Sequence, residues 1–144
     1  LHKGLDSFMS PQHFETFYWP SLRKLILRFI DEGFVPWLFT EGRYNTRLDV
    51  INDLPRGKVV YWMNTTDIVR AKEKLGPVGC IQGGVPVSMM SGCEPEEVTK
   101  HCRELIEKIG AGGGYILDLG AGPETGRAEN IHAMVRAAKE YGVY

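Results

Sequence analysis

Cysteine is scarce and poorly spaced for structure: Cys80, Cys93 and Cys102 are the three in 144 residues, an odd number with no C-x-x-C pair. That argues against a disulfide scaffold and a zinc ribbon, and fits a reducing cytoplasm. An excess of one charge is missing too. Seventeen Lys and Arg face eighteen Asp and Glu, and no basic block stands out from the net charge of −1, so the electrostatic footprint of a nucleic-acid binder is lacking. The longest apolar runs, near Phe34–Phe39 and Val85–Met90, fall far short of the roughly 20 residues a membrane-spanning helix needs. There is no solenoid repeat, low-complexity tract or basic-then-apolar leader. The sequence opens on Leu1 rather than methionine, and an upstream part is expected to be missing.

What is present is 43% apolar, enough for one hydrophobic core and too little for two, so residues 1–144 are expected to form a single domain. Ser10-Pro11 starts a helix and Pro20 divides it, because proline has no amide to donate. In the second piece Leu22, Leu25, Ile26 and Phe29 recur at helical spacing, and Gly33 ends it. Four strand-helix units follow. Phe34–Thr40, Lys58–Met63, Val78–Gln82 and Tyr115–Leu119 read as strands covered on both faces. Helical patterns lie near Arg47–Leu54, Thr66–Leu75, Glu96–Ile109 and Ala128–Tyr141, the last presenting Ile131, Met134, Val135 and Ala138 on one side. Such alternation predicts an α/β fold with a parallel sheet, either an open doubly wound sheet or part of a (β/α)8 barrel.

Most chemical motifs read as structure. Leu117–Gly122 resembles a cofactor-binding glycine loop but follows the last strand, where one helix remains. The glycines at 110 and 112–114 precede a strand, whereas a phosphate loop follows one. His101 and Cys102 are helix neighbours and point about 100° apart, which makes Cys102 a core thiol and His101 a surface imidazole. His132 falls on the solvated side, and His2 and His13 lack nearby partners.

Parallel α/β folds put their chemistry just past the carboxyl ends of the strands. Thr40, Glu41 and Arg43 occupy that position after the first strand, and Asn64, Thr65 and Asp67 after the second. Gln82 with Gly83 and Gly84 follows the third, and Asp118 ends the fourth. Glu41 and Asp118 are the candidate catalytic carboxylates, and Arg43, Asn64 and Gln82 the candidate substrate-binding groups. Structural alternatives exist: Glu41 pairing with Arg43 or Arg47, Asp67 capping its helix, Asp118 accepting amides from its own glycine turn.

Several stretches together resemble the uroporphyrinogen decarboxylase superfamily, which includes cobalamin-dependent methyltransferases. Gly113-Gly114-Tyr115-Ile116-Leu117, the turn at Gly120 and Gly122, Glu129-Asn130-Ile131 and Ala133-Met134-Val135 through Gly142 follow its closing signature. Ser10-Pro11 with Phe14 and Pro20, Thr66-Asp67 before Ala71, Ile81-Gln82-Gly83 and Glu94–Val98 match its landmarks in order. The resemblance implies the C-terminal half of a TIM (β/α)8 barrel, its last four strands, without the half that holds the porphyrinogen. It also implies departures. Zinc-dependent members place His-x-Cys and a further Cys where this sequence has Phe39, Glu41 and Ala121, so zinc is not expected. Ala121 also stands where the decarboxylase carries a histidine.

The function this implies is corrinoid-dependent methyl transfer from a small methylated compound, with Glu41 or Asp118 as general acid and the corrinoid on a partner protein. Uroporphyrinogen decarboxylation is the alternative. A third reading is an inert fragment or assembly half-barrel, since four barrel strands leave two edges to be covered by a missing N-terminal half or by a second copy as a homodimer.

Overall fold

The computed structural model describes residues 1–122 and 125–143. Four strands, β1 (Trp37–Thr40), β2 (Val60–Met63), β3 (Cys80–Val85) and β4 (Tyr115–Leu119), form one parallel sheet in the order β1-β2-β3-β4. β1 and β2 pair with Trp37 opposite Val60 and Thr40 opposite Met63. A doubly wound sheet reverses its strand order at a switch point, whereas a barrel adds each strand beside the last. The unbroken order here is the barrel's. The chain divides into two compact units, Leu1–Ile81 and the part from Gln82 onward.

In the first unit, helix α1 (Pro11–His13) runs through a π-helical segment (Phe14–Tyr18) into α2 (Trp19–Asp31) without a break. Ser10 caps the start, its hydroxyl accepting the His13 amide at 3.2 Å. The division expected at Pro20 is absent. The Trp19 amide bonds to the Phe14 carbonyl, five residues back, and this inserted residue lets the ladder pass the missing proline N–H. The helix expected over Arg47–Leu54 is a run of turns instead. Leu48, Ile51 and Leu54 are buried as their spacing suggested, but Pro55 has no amide for the Ile51 carbonyl. The Tyr61 hydroxyl takes it, at 2.7 Å.

β1 is shorter than expected, since Pro36 can offer only its carbonyl, to the Val60 amide at 3.1 Å. Nor is the segment covered on both faces, because Phe34, Val35 and Trp37 are exposed. Leu22, Leu25, Ile26 and Phe29 of α2 line an apolar groove with Leu1, Phe34, Pro36, Trp37 and Leu38, about 420 Å³ in volume. The core of this unit gathers Phe14, Trp19, Ile26, Tyr44, Tyr61, Met63 and Leu75 among others. Helix α3 (Ile68–Leu75) closes it, capped by Asp67, whose carboxylate accepts the Val69 and Arg70 amides at 3.1 Å.

In the second unit β3 continues to Val85, beyond the expected Gln82, with Gly83 and Gly84 at φ of 121° and 102°. After the short helix α4 (Met89–Gly92), α5 (Pro95–Leu105) begins on a reciprocal capping box between Glu94 and Glu97. Its Val98, Cys102 and Leu105 are buried, followed by Ile106 and Ile109 in a second π-helical segment (Ile106–Gly110). Helix α6 (Ala128–Tyr141) turns Asn130, Ala133 and Ala137 inward. Ile131 and Val135 are exposed, so the inner face is rotated from the one expected: small residues allow α6 to lie close against its neighbours. The Asn130 amide donates to the carbonyls of Met89, Met90 and Cys93, at 3.0, 3.1 and 2.9 Å.

Candidate functional site

At the carboxyl end of β1, Glu41 is exposed and pairs with Nδ1 of His2, thirty-nine residues earlier. His2 therefore has a partner, contrary to the sequence expectation. Glu41 pairs with neither Arg43 nor Arg47 among the described residues. The next turn is built between strands: the Gly42 amide donates to the Asn64 side-chain oxygen at 3.1 Å, and the Thr65 amide to the Gly42 carbonyl at 3.3 Å. Thr66 is buried and its hydroxyl accepts the Tyr44 amide at 2.9 Å. Asn64 thus fixes the backbone beside Glu41.

Residues 1–9 form a strap over these turns, held largely by its carbonyl oxygens. Those of Leu1 and His2 accept the hydroxyls of Tyr44 and Tyr18. Arg47, only 1% exposed, donates Nε to the Gly4 carbonyl at 3.3 Å and Nη2 to that of Met9 at 2.5 Å, while stacking on Phe14 at 4.8 Å. Gly4 must lack a side chain, since a Cβ there would lie 2.6 Å from the Tyr44 hydroxyl. Burial raises the Tyr44 pKa above its ordinary 10.0, which keeps the phenol protonated to donate.

The strap and turns border an open cavity of about 510 Å³ lined by Leu5, Asp6, Ser7, Gly42, Arg43 and Thr65. Its size suits a small molecule. Asp6 accepts the Thr46 amide at 3.2 Å and its hydroxyl at 2.8 Å, and lies 3.9 Å from Nε of Arg47. The Arg43 backbone carbonyl takes the Asp6 amide at 2.8 Å, but its guanidinium has no ion-pair or hydrogen-bond partner among the described residues.

In the second unit the side-chain nitrogen of Gln82 donates to the Asp118 carboxylate. Asp118 is thus engaged by a side chain of β3. Beyond Gln82 the glycine pair is fixed on both carbonyls: the Tyr115 hydroxyl donates to Gly83 at 2.8 Å, and Nε2 of His101 contacts the Gly84 oxygen at 3.0 Å. His101 is therefore a half-buried backbone contact rather than a surface imidazole. His132 is exposed.

Phe39, Glu41 and Ala121 have one oxygen-donor side chain among them. Phe39 packs on Trp62 with ring centroids 4.5 Å apart, and Ala121 has no donor atom. Among the described residues no group of three or more His, Cys, Asp or Glu is placed to hold a metal ion, and no helix is long and apolar enough to cross a membrane. Sequence reasoning missed His2, Asp6, Ser7 and Arg47. The first three sit about forty residues from the strand-end loops they meet, where local spacing carries no signal. Arg47 lay inside a wrongly assigned helix.

Residues 5–141 match the family model described as Uroporphyrinogen decarboxylase (URO-D). The uroporphyrinogen decarboxylase of Methylococcus capsulatus is 32% identical over 80 residues, covering 54% of this chain and 22% of that protein. That of Trichodesmium erythraeum is 30% identical, covering 92% of this chain and 37% of that protein. A solved methyltransferase from Methanosarcina mazei superposes with a TM-score of 0.72 at 18% identity, over 97% of this chain and 40% of that one. The chain thus spans well under half the length of each.

Proposed function

Because this chain belongs to the uroporphyrinogen decarboxylase family, we propose that it contributes four β/α units to an enzyme that transfers a methyl group from a small methylated compound to a corrinoid on a partner protein. The relatives' greater length supports further units from the rest of a longer chain. When its carrier is bound, the corrinoid supplies the methyl acceptor.

The observation carrying this reading is the Glu41–His2 pair, open to solvent where β1 ends. A carboxyl–imidazole pair can pass a proton to the donor's heteroatom as the carbon–heteroatom bond breaks, so the leaving group departs neutral. The balance is simple: the methyl goes to the acceptor, the bonding pair stays on the heteroatom, and Glu41 is left ionised. Asn64 holds the adjoining turn, Arg43 offers a cation to the substrate, and Asp118 with Gln82 is the second candidate acid. In the intact enzyme Glu41→Gln should lower kcat by about 100-fold or more. Unchanged turnover in both Glu41→Gln and Asp118→Asn would exclude the acid role.

Decarboxylation is the second reading, favoured by the names of the curated relatives. It too needs a proton donor, to quench the carbanion left by carbon dioxide. Porphyrinogen turnover by the intact protein, at a rate that Glu41→Gln abolishes, would favour it over methyl transfer.

A further inference from the structure

We infer that the 510 Å³ cavity beside Glu41 binds the carboxylate of a small carboxylated substrate, with Arg43 as its counter-ion. This rests on the reading of the strand-end turns as the reaction site, and names the substrate class that reading leaves open.

The other charges around the cavity are already engaged. Asp6 is occupied by the Thr46 amide and hydroxyl and faces Arg47. Arg47 is buried and committed to the strap carbonyls. Glu41, next to Gly42 of the lining, is engaged by His2. Arg43 is left as the one lining charge without a counter-ion among the described residues. Its planar fork of N–H donors matches a carboxylate in a way that a point charge does not. Ser7 and Thr65 bring hydroxyls to the same wall, and the one lining carboxylate, Asp6, is already engaged by Thr46 and lies 3.9 Å from Arg47.

Arg43 and Glu41 flank Gly42, which lines the cavity, so the substrate proposed is a short one. Methoxyacetate has the required parts: a carboxylate at one end and a methyl ether at the other.

Calorimetric titration of the full chain with sodium methoxyacetate should give saturable binding. The uncharged 2-methoxyethanol should give none, and inorganic phosphate should bind more weakly. Arg43→Gln should weaken methoxyacetate binding roughly 10- to 100-fold and Arg43→Lys less, because the charge survives and the fork does not. Arg43 is exposed, so neither variant should alter the circular dichroism spectrum. Equal binding by Arg43→Gln, equal binding of methoxyethanol, or phosphate binding as tightly as methoxyacetate would overturn the assignment. Turnover by Glu41→Gln enzyme is measured separately. Saturable, Arg43-dependent binding with turnover indifferent to Glu41 would remove the acid and leave the carboxylate site standing.

Discussion

Arg47 offers the most exacting check on the description of the first unit. Replacing it with methionine keeps much of the volume but removes the donors to the Gly4 and Met9 carbonyls, the stacking on Phe14 and the charge facing Asp6. Each buried carbonyl left without a donor costs about 1–3 kcal/mol, and the lost stacking about 0.5–2 kcal/mol. Against this, one guanidinium nitrogen, Nη1, is buried without a partner, and taking it away relieves some desolvation. The net expectation is a loss of about 2–4 kcal/mol, a large share of the roughly 5–15 kcal/mol that holds a typical domain. Trp19, Trp37 and Trp62 are the three tryptophans and all lie in the first unit, so their fluorescence in a urea titration reports this unit alone. The midpoint should fall by about 1–2 M with the slope unchanged. Arg47→Lys should recover little of the loss, since one ammonium on a single stem replaces a fork directed at two carbonyls. A midpoint shift under about 0.3 M for Arg47→Met would refute the claim that this side chain secures the strap.

Two further outcomes are expected. Asp67→Ala removes both capping bonds of α3 and should cost about 1 kcal/mol, read in the same urea titration; Asp67→Ser should restore most of it. Burial pushes the Cys102 thiol up to about 11 from an ordinary 9.0. The unfolded chain therefore ionises first on the alkaline side, and stability should decline as pH rises from about 9 toward 11. Cys102→Ala should flatten that part of the curve, whatever its effect at neutrality, and an identical alkaline slope in the variant would contradict the assignment.

Apolar periodicity read the strand-helix alternation well wherever burial set the pattern. Val98, Cys102 and Leu105 line the inner face of α5, and Asp67 caps α3 from a position its residue type alone suggests. It failed where backbone hydrogen bonding decided instead. Pro20 is carried by an inserted π-helical residue, and Pro55 denies Ile51 the amide that a helix over 47–54 would require. At the strand ends the legible part was position: Glu41, Arg43, Asn64, Gln82 and Asp118 all lie at or just beyond the ends of strands, or, for Gln82, within β3 as it runs on to Val85. Their partners were not legible. His2 and Asp6 reach their loops across about forty residues, a distance over which sequence spacing conveys no geometry.

The strap over the β1 turn is gripped through atoms that every amino acid has alike. Tyr18, Tyr44 and Arg47 take hold of main-chain oxygens, and of the positions so held Gly4 has its identity dictated by crowding. Ser7, which lines the cavity and is exposed, is therefore exchangeable without loosening that grip, whereas Leu5 also packs against the core. A lineage can diversify what it accepts by altering Ser7 while the anchorage beneath it stays constant, so at that position selectivity and foldability can evolve as separate traits.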